Sequence, residues 1–350
     1  MTYLQAFVIA LVQGVTELFP VSSLGHSVLL PAWLGGSWQT LVTQSSQQNS
    51  ESSFYLAYIV ALHCATALAL MWFFRADWVR LIRGFARSLP RSLRERRLAV
   101  ADADERLAWM IVFATIPVGL TGVAFEHTFR TLFAKPAAAA VLLFVNGLIL
   151  AGAELLRRSA GRRGSMPAAD DIASPAPALA PAGMSAAAVG AGPGDAPARP
   201  RSHRKTANSR ARSDIDAAEQ SDRRIASLSY ANGVVIGAFQ VAALLAGISR
   251  SGVTIAAGLW RGLNHEDAAR FAFLLATPVI LAAGVLKVPS LLGSAGAHIH
   301  GQVVLGVVVT AVSAYLSVRF LVRWFQTRTL TPFAIYCLAV GAASIVRFAF

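Results

Sequence analysis

Gln13, Glu17, Ser22, Ser23, Gly25 and His26 sit close together in otherwise apolar sequence, and Ser249, Arg250, Ser251, Gly252 and Thr254 form a second such group. Gln13 and Glu17 are four apart, so on a helix they share a face one turn apart. Their oxygens suit a hard divalent cation, Mg2+ or Ca2+. A hydroxyl of Ser22 or Ser23 near the imidazole of His26 is the general arrangement of an activated nucleophile or an acid–base pair. Arg250 offers a planar fork for two phosphate oxygens. Ser249, Ser251, Thr254 and the amides at Gly25 and Gly252 could add donors to an oxyanion. Together these groups describe diphosphate or phosphate-ester chemistry, with Ser22, Ser23, His26 or water as the attacking group. The plain alternative is a structural Glu17–Arg250 ion pair, which leaves the serines and His26 without a task.

Backbone breaks must position these groups. Pro20 lacks an N–H and ends the first helix, Ser22 or Ser23 can cap the next, and Gly25 permits close approach to a ligand. The break recurs. Shifting the chain by 227 positions lays Val8–Gly35 on Val235–Gly262, with Gln13, Leu18, Ser22, Gly25 and Trp33 among the identities. Two related polar breaks, one carrying Glu17 and His26 and the other Arg250, suggest an internal repeat.

With 55% hydrophobic and 14% charged residues in 350, the chain reads as an all-α polytopic membrane protein. Several charge-free stretches reach the ~20 residues a crossing needs. The net charge of +13 lies in arginines between those stretches. It therefore fits the positive-inside rule, and no nucleic-acid partner is expected. Cys64 and Cys337 lie in apolar stretches and read as small hydrophobes. Met1 is followed by no basic segment, so no cleaved signal peptide is expected.

The expected organisation is a first repeat over 1–156, with a re-entrant hairpin at 2–36 and spanning helices near 54–74, 107–125 and 137–156. A basic Ala/Pro-rich cytoplasmic insertion over 157–224 follows; its composition cannot bury enough surface to order itself. The second repeat, 225–350, has a re-entrant hairpin at 230–262 and spans near 270–288, 301–320 and 331–349. Parity supports this, because the basic stretches before and after the second break need an even number of crossings between them. The halves are then inverted, giving six spanning helices and two re-entrant hairpins whose breaks meet near the midplane. The same architecture is also that of a secondary transporter or lipid-carrier flippase, the rival reading.

Two motifs carry a resemblance. The run from Gln13 through Glu17 to Pro20-Val-Ser-Ser-Leu-Gly-His26 resembles the first signature of bacterial undecaprenyl-diphosphate phosphatases, the bacitracin-resistance family. Gly247-Ile-Ser-Arg-Ser-Gly-Val-Thr254-Ile resembles the second. Further similarity lies in Ala114–Pro117, Phe271–Pro278 and Pro332–Tyr336. The resemblance implies hydrolysis of undecaprenyl diphosphate to the monophosphate carrier and inorganic phosphate at the periplasmic face of the bacterial inner membrane. It also implies carrier recycling for peptidoglycan synthesis, bacitracin resistance, and a polyprenyl diphosphate lipid as partner, and it leaves room for a homodimer. By motif position, Glu17 and Gln13 form the acidic or metal pair, Arg250 binds the diphosphate, and His26 with Ser22 or Ser23 moves the proton or attacks. Gln13, Leu24 and Ala246 depart from the family pattern, at positions where Glu, Thr and Pro are common.

Overall fold

The computed structural model describes residues 1–47, 54–125, 135–164, 216–292 and 299–349. Met1–Arg157 with Gln220–Phe350 makes one compact unit and Arg158–Glu219 a second. In the second unit the described residues, 158–164 and 216–219, are helical.

All regular structure among the described residues is helical. Helix α1, Tyr3–Thr16, opens with a reciprocal cap between Thr2 and Gln5. After the break at Pro20, α2 (Ser23–Leu34) runs to Gly35, whose φ of 68° stops it. These helices have 14 and 12 residues, so they extend about 21 and 18 Å, short of the ~30 Å hydrocarbon core. Helix α3, Gly36–Gln47, follows directly. Helix α4, Phe54–Phe73, is followed at 85° by α5, Arg75–Glu95. Helices α6 (Ala103–Ala124) and α7 (Pro136–Gly164) complete the first half.

In the second half, α8 (Asp216–Ala226) meets α9 (Tyr230–Ala238) at 98°, and a tighter turn, Phe239–Leu244, prolongs α9. After the second break come α10 (Arg250–Trp260), α11 (His265–Leu292), α12 (His300–Thr327) and α13 (Thr331–Ala349). Helix α10 has 11 residues, about 16 Å. Among the described residues, α6, α7, α11, α12 and α13 are long and apolar enough to cross a membrane, and the two bent pairs would raise that number from five to seven.

The packing partners alternate between halves. Helix α1 packs on α12, α9 on α6, and α4 on both α11 and α12. Both hairpin contacts are close. A Cβ on Gly14 would lie 2.7 Å from the Thr310 carbonyl oxygen of α12, and one on Gly237 would lie 2.6 Å from the Ala114 carbonyl carbon of α6. The Thr310 hydroxyl also donates to the Ala10 carbonyl at 3.0 Å. From α4, Tyr58 and Tyr55 donate to the carbonyls of Ala6 and Ser27, at 2.6 and 2.8 Å, and so hold α1 and α2 on one helix face.

The expected insertion over 157–224 differs at its ends. Residues 157–164 prolong α7 and 216–224 belong to α8, while 165–215 lie outside the described residues. Charge pairing does what scarce apolar surface could not. Buried Asp222 accepts from Arg80 at 2.6 Å and from Arg270 at 2.7 Å, and Arg224 pairs with Asp267 at 2.6 Å. Burial works against the charge on Arg80, but hydrogen bonds to Asp77 and Asp222 outweigh it and raise its pKa above the ordinary guanidinium value.

Candidate active site

Glu17 stands where α1 ends, with helical φ and ψ, so Gln13 lies one turn behind it. The Gln13 Nε2 donates to the Glu17 carboxylate at 2.9 Å. The Ser23 hydroxyl, from the first residue of α2, donates to the same oxygen. The other carboxylate oxygen takes the Arg250 guanidinium, from the first residue of α10. A fourth group comes from α4. His63 Nε2 stands 3.2 Å from Glu17, oriented by its Nδ1 on the Ile59 carbonyl at 2.8 Å. The Glu17 side chain is 4% exposed, whereas Arg250 keeps 19%, so the arginine faces the opening of the site.

The ion pair of Glu17 and Arg250 is therefore formed, yet the rest of the cluster is more than structural fill. A buried carboxylate is compensated by one guanidinium and three further polar groups. Gln13 Oε1 is a buried acceptor with no partner among the described residues. This free oxygen beside the Glu17 carboxylate is a hard donor set of the kind Mg2+ or Ca2+ takes. Among the described residues no group of three or more His, Cys, Asp or Glu side chains is placed to hold a metal, so a cation here would depend on substrate oxygens as well.

The expected imidazole–hydroxyl pair is not formed. His26 Nδ1 lies 2.7 Å from the Ser22 carbonyl, and Nε2 lies 2.8 Å from the Tyr336 hydroxyl of α13. A carbonyl only accepts, so Nδ1 carries the proton, and in a neutral ring Nε2 accepts from Tyr336. The rings are stacked 5.7 Å apart. Ser22 itself has φ 68°, rare for a residue with a Cβ. That conformation is held on several sides. Its hydroxyl accepts from the amides of Gly25 at 3.2 Å and Gly247 at 3.1 Å, while its carbonyl accepts from His26.

Ser249 occupies the same capping role in the second break, accepting from the Gly252 amide at 3.1 Å. The Ser249 and Ser251 hydroxyls donate to the Phe19 carbonyl, at 3.4 and 3.3 Å, and thus face the first break rather than Glu17. Thr254 donates back to the Arg250 carbonyl at 2.7 Å, inside its own helix. A Cβ on Gly25 would lie 3.1 Å from the Gly247 Cα, and Gly247 has φ 115°. The breaks meet there backbone to backbone.

Sequence reading missed His63, Tyr336 and Asn146. Each is a lone polar side chain in a mostly apolar segment, and that isolation was the only local signal. Asn146, fully buried on α7, donates to the Pro20 carbonyl at 3.0 Å and accepts from the Ser249 amide at 3.0 Å.

A family model described as bacitracin resistance protein BacA matches residues 6–174 and 206–343. Undecaprenyl-diphosphatase 2 of Frankia alni is 56% identical over 357 residues, covering 100% of this chain and 98% of that protein. The undecaprenyl-diphosphatase of Mycolicibacterium paratuberculosis is 50% identical, covering 99% of this chain and 97% of its own. A more distant relative, undecaprenyl-diphosphatase 2 of Chromobacterium violaceum, is 34% identical over 99% of both chains. The matches take in both breaks and the helices that hold them, and on that ground the chain belongs to the BacA bacitracin resistance protein family.

Proposed function

We propose that this chain hydrolyses undecaprenyl diphosphate to undecaprenyl phosphate and inorganic phosphate, a reading supported by relatives named undecaprenyl-diphosphatase. The observation that carries the reading is the Ser23 hydroxyl donating to Glu17 while Arg250 closes on the same carboxylate. Arg250 leaves Glu17 for the diphosphate, exchanging one anion for another in a site already built for charge. Ser23 Oγ then attacks the terminal phosphorus and its proton passes to Glu17. The bond from phosphorus to the bridging oxygen breaks, and undecaprenyl phosphate departs with the proton that Glu17 took from Ser23, which leaves the carboxylate ionised again. Water, activated by the same carboxylate, releases inorganic phosphate from Ser23 and restores the hydroxyl. His26 and Tyr336 hold Ser22, and with it the start of α2, in the strained conformation that aims Ser23 at Glu17. A divalent cation, Mg2+ or Ca2+, held by Gln13 and Glu17, would draw charge from the phosphate oxygens.

The proposed setting is the bacterial inner membrane, with the site open toward the periplasm and the product re-entering the carrier pool for peptidoglycan synthesis, which confers bacitracin resistance. In this setting, an inverted repeat with six spanning helices and two re-entrant hairpins agrees with the reciprocal packing of α1 on α12 and α9 on α6. A homodimer belongs to the same proposal. A carrier or flippase would bind the lipid but leave the Ser23–Glu17 contact without work to do.

One experiment tests the reading. Purified protein in detergent, given undecaprenyl diphosphate labelled in its terminal phosphate, should release labelled phosphate. A quenched early time point should carry label on Ser23, and Ser23→Ala should abolish both. Phosphate release by Ser23→Ala at the wild-type rate would remove Ser23 as nucleophile, and no release by wild type would remove the hydrolase.

A further inference from the structure

The two breaks touch each other directly through Ser22, Gly247, Ser249, Ser251 and Phe19. One side chain from a third element joins both. Asn146 lies on the face of α7 that includes Ala139, Leu143 and Leu150. That face packs tightly on the second break. A Cβ on Gly247 would come 2.6 Å from the Ala139 carbonyl and 2.8 Å from the Leu143 amide, and one on Gly252 would come 3.3 Å from Leu150. On the adjoining flank α7 is pressed against α13, where a Cβ on Gly147 would come 2.9 Å from the Leu338 amide. Asn146 therefore projects from a helix held closely on two adjoining flanks.

Its amide is fully specified. Ser249 N–H can only donate, so the group it meets is Oδ1, and the Pro20 carbonyl can only accept, so the group it meets is Nδ2. The Cys337 thiol lies 3.4 Å from the same nitrogen. Pro20 precedes the Ser22–Ser23 start of α2, and Ser249 immediately precedes Arg250. One buried side chain thus sets the distance between the backbone that delivers Ser23 and the backbone that delivers Arg250.

We propose that Asn146 is a positioning residue: a clamp whose amide holds the two breaks in the register that brings Ser23 and Arg250 onto one phosphate. The inference rests on the hydrolase reading for its effect on rate, but not for the clamp itself. Misplacing a reacting group by about 1 Å costs about a hundredfold, the scale expected when the clamp is lost. Asn146→Leu, which fills similar space and makes neither bond, should lower kcat by about that factor and change KM little, because both Asn146 bonds go to protein backbone.

Two measurements separate positioning from mere support. In an Arg250→Lys background, adding Asn146→Leu should lower kcat by no more than about twofold, because the loss it causes has already been incurred. Fully multiplying losses would overturn the positioning role. Hydrogen exchange reads the clamp without any turnover. The Ser249 amide should exchange faster in Asn146→Leu while amides in the middle of α11 and α12 stay protected. An unchanged Ser249 rate overturns the clamp whatever the activity. A wild type that is inactive yet shows this Ser249 difference sinks the hydrolase reading and leaves the clamp standing. Should the leucine variant aggregate, the smaller Asn146→Ser carries the same two measurements.

Discussion

At the scale of single residues, the site is organised by competition for one carboxylate. Glu17 receives Gln13, Ser23, His63 and Arg250 together. In the proposed reaction Arg250, the more exposed partner, moves to the phosphate, and the proton that Glu17 then takes from Ser23 removes the buried charge left behind. Arg250→Lys should therefore cut phosphate release by about 30- to 1,000-fold, or about 2–4 kcal/mol, because an ammonium cannot make the two-pronged contact. A wild-type rate from the lysine variant would remove Arg250 from the chemistry. His63 should matter through its donor: His63→Leu should cost roughly tenfold in kcat, the scale of a hydrogen bond to a charged group, and His63→Gln should recover part of it. Gln13→Glu should remain active and need less added Mg2+ for half-maximal rate, since it places a second carboxylate beside Glu17. An unchanged titration midpoint would show that position 13 does not face a metal. The Glu, Ser and Arg members of this set were legible because clustered polar residues at a proline or glycine break are hard to explain otherwise. His63, Asn146 and Tyr336 were not. A solitary histidine in α4 looks like any satisfied core histidine until α1 is folded against it, and no local spacing encodes a contact across 46 residues. The same limit applies to His26, whose nearness to Ser22 and Ser23 in sequence suggested a hydroxyl contact, while its ring meets the Ser22 carbonyl and the Tyr336 hydroxyl.

At the scale of elements, the two breaks differ in what they demand of the backbone. Gly247 combines φ 115° with a Cβ position 2.6 Å from the Ala139 carbonyl, so Gly247→Ala should disrupt the second break and abolish activity. The shift of 227 positions also lays Gln13 on Gln240. Gln240 is buried, and its amide has no partner among the described residues. An unpartnered amide costs about 1–3 kcal/mol, so Gln240→Leu should raise the thermal midpoint without loss of activity. A fall in activity at unchanged stability would mean the amide meets substrate or water instead. Helix existence was readable from apolar length, but helix ends were not. Helix α12 runs on through Arg319 and Arg323, and α7 through Arg157 and Arg158, because long basic side chains can leave a helix toward water without ending it.

At the scale of the whole molecule, the boundary of the insertion becomes a design rule. Replacing 165–215 with a short Gly/Ser linker should preserve activity. A deletion reaching Asp222 should not, because Arg80 and Arg270 would keep Asp77 but lose the second aspartate they share. Asp222→Ala alone should destabilise the fold by about 1.5–3 kcal/mol in thermal unfolding, with KM little changed. Activity lost from the 165–215 replacement in well-inserted protein would give that segment a role its composition does not suggest.

The exchange of partners between halves also sets an order in time. Helix α1 is held by Tyr58 of α4 but packs most extensively on α12, and Glu17 finds Arg250 only once α10 exists. During synthesis the first hairpin must therefore wait, its carboxylate uncompensated, until most of the chain has left the ribosome. A chain cut short anywhere before α12 has neither a settled first hairpin nor a working centre. It should be recognised and degraded as unassembled rather than persist as a partly active enzyme.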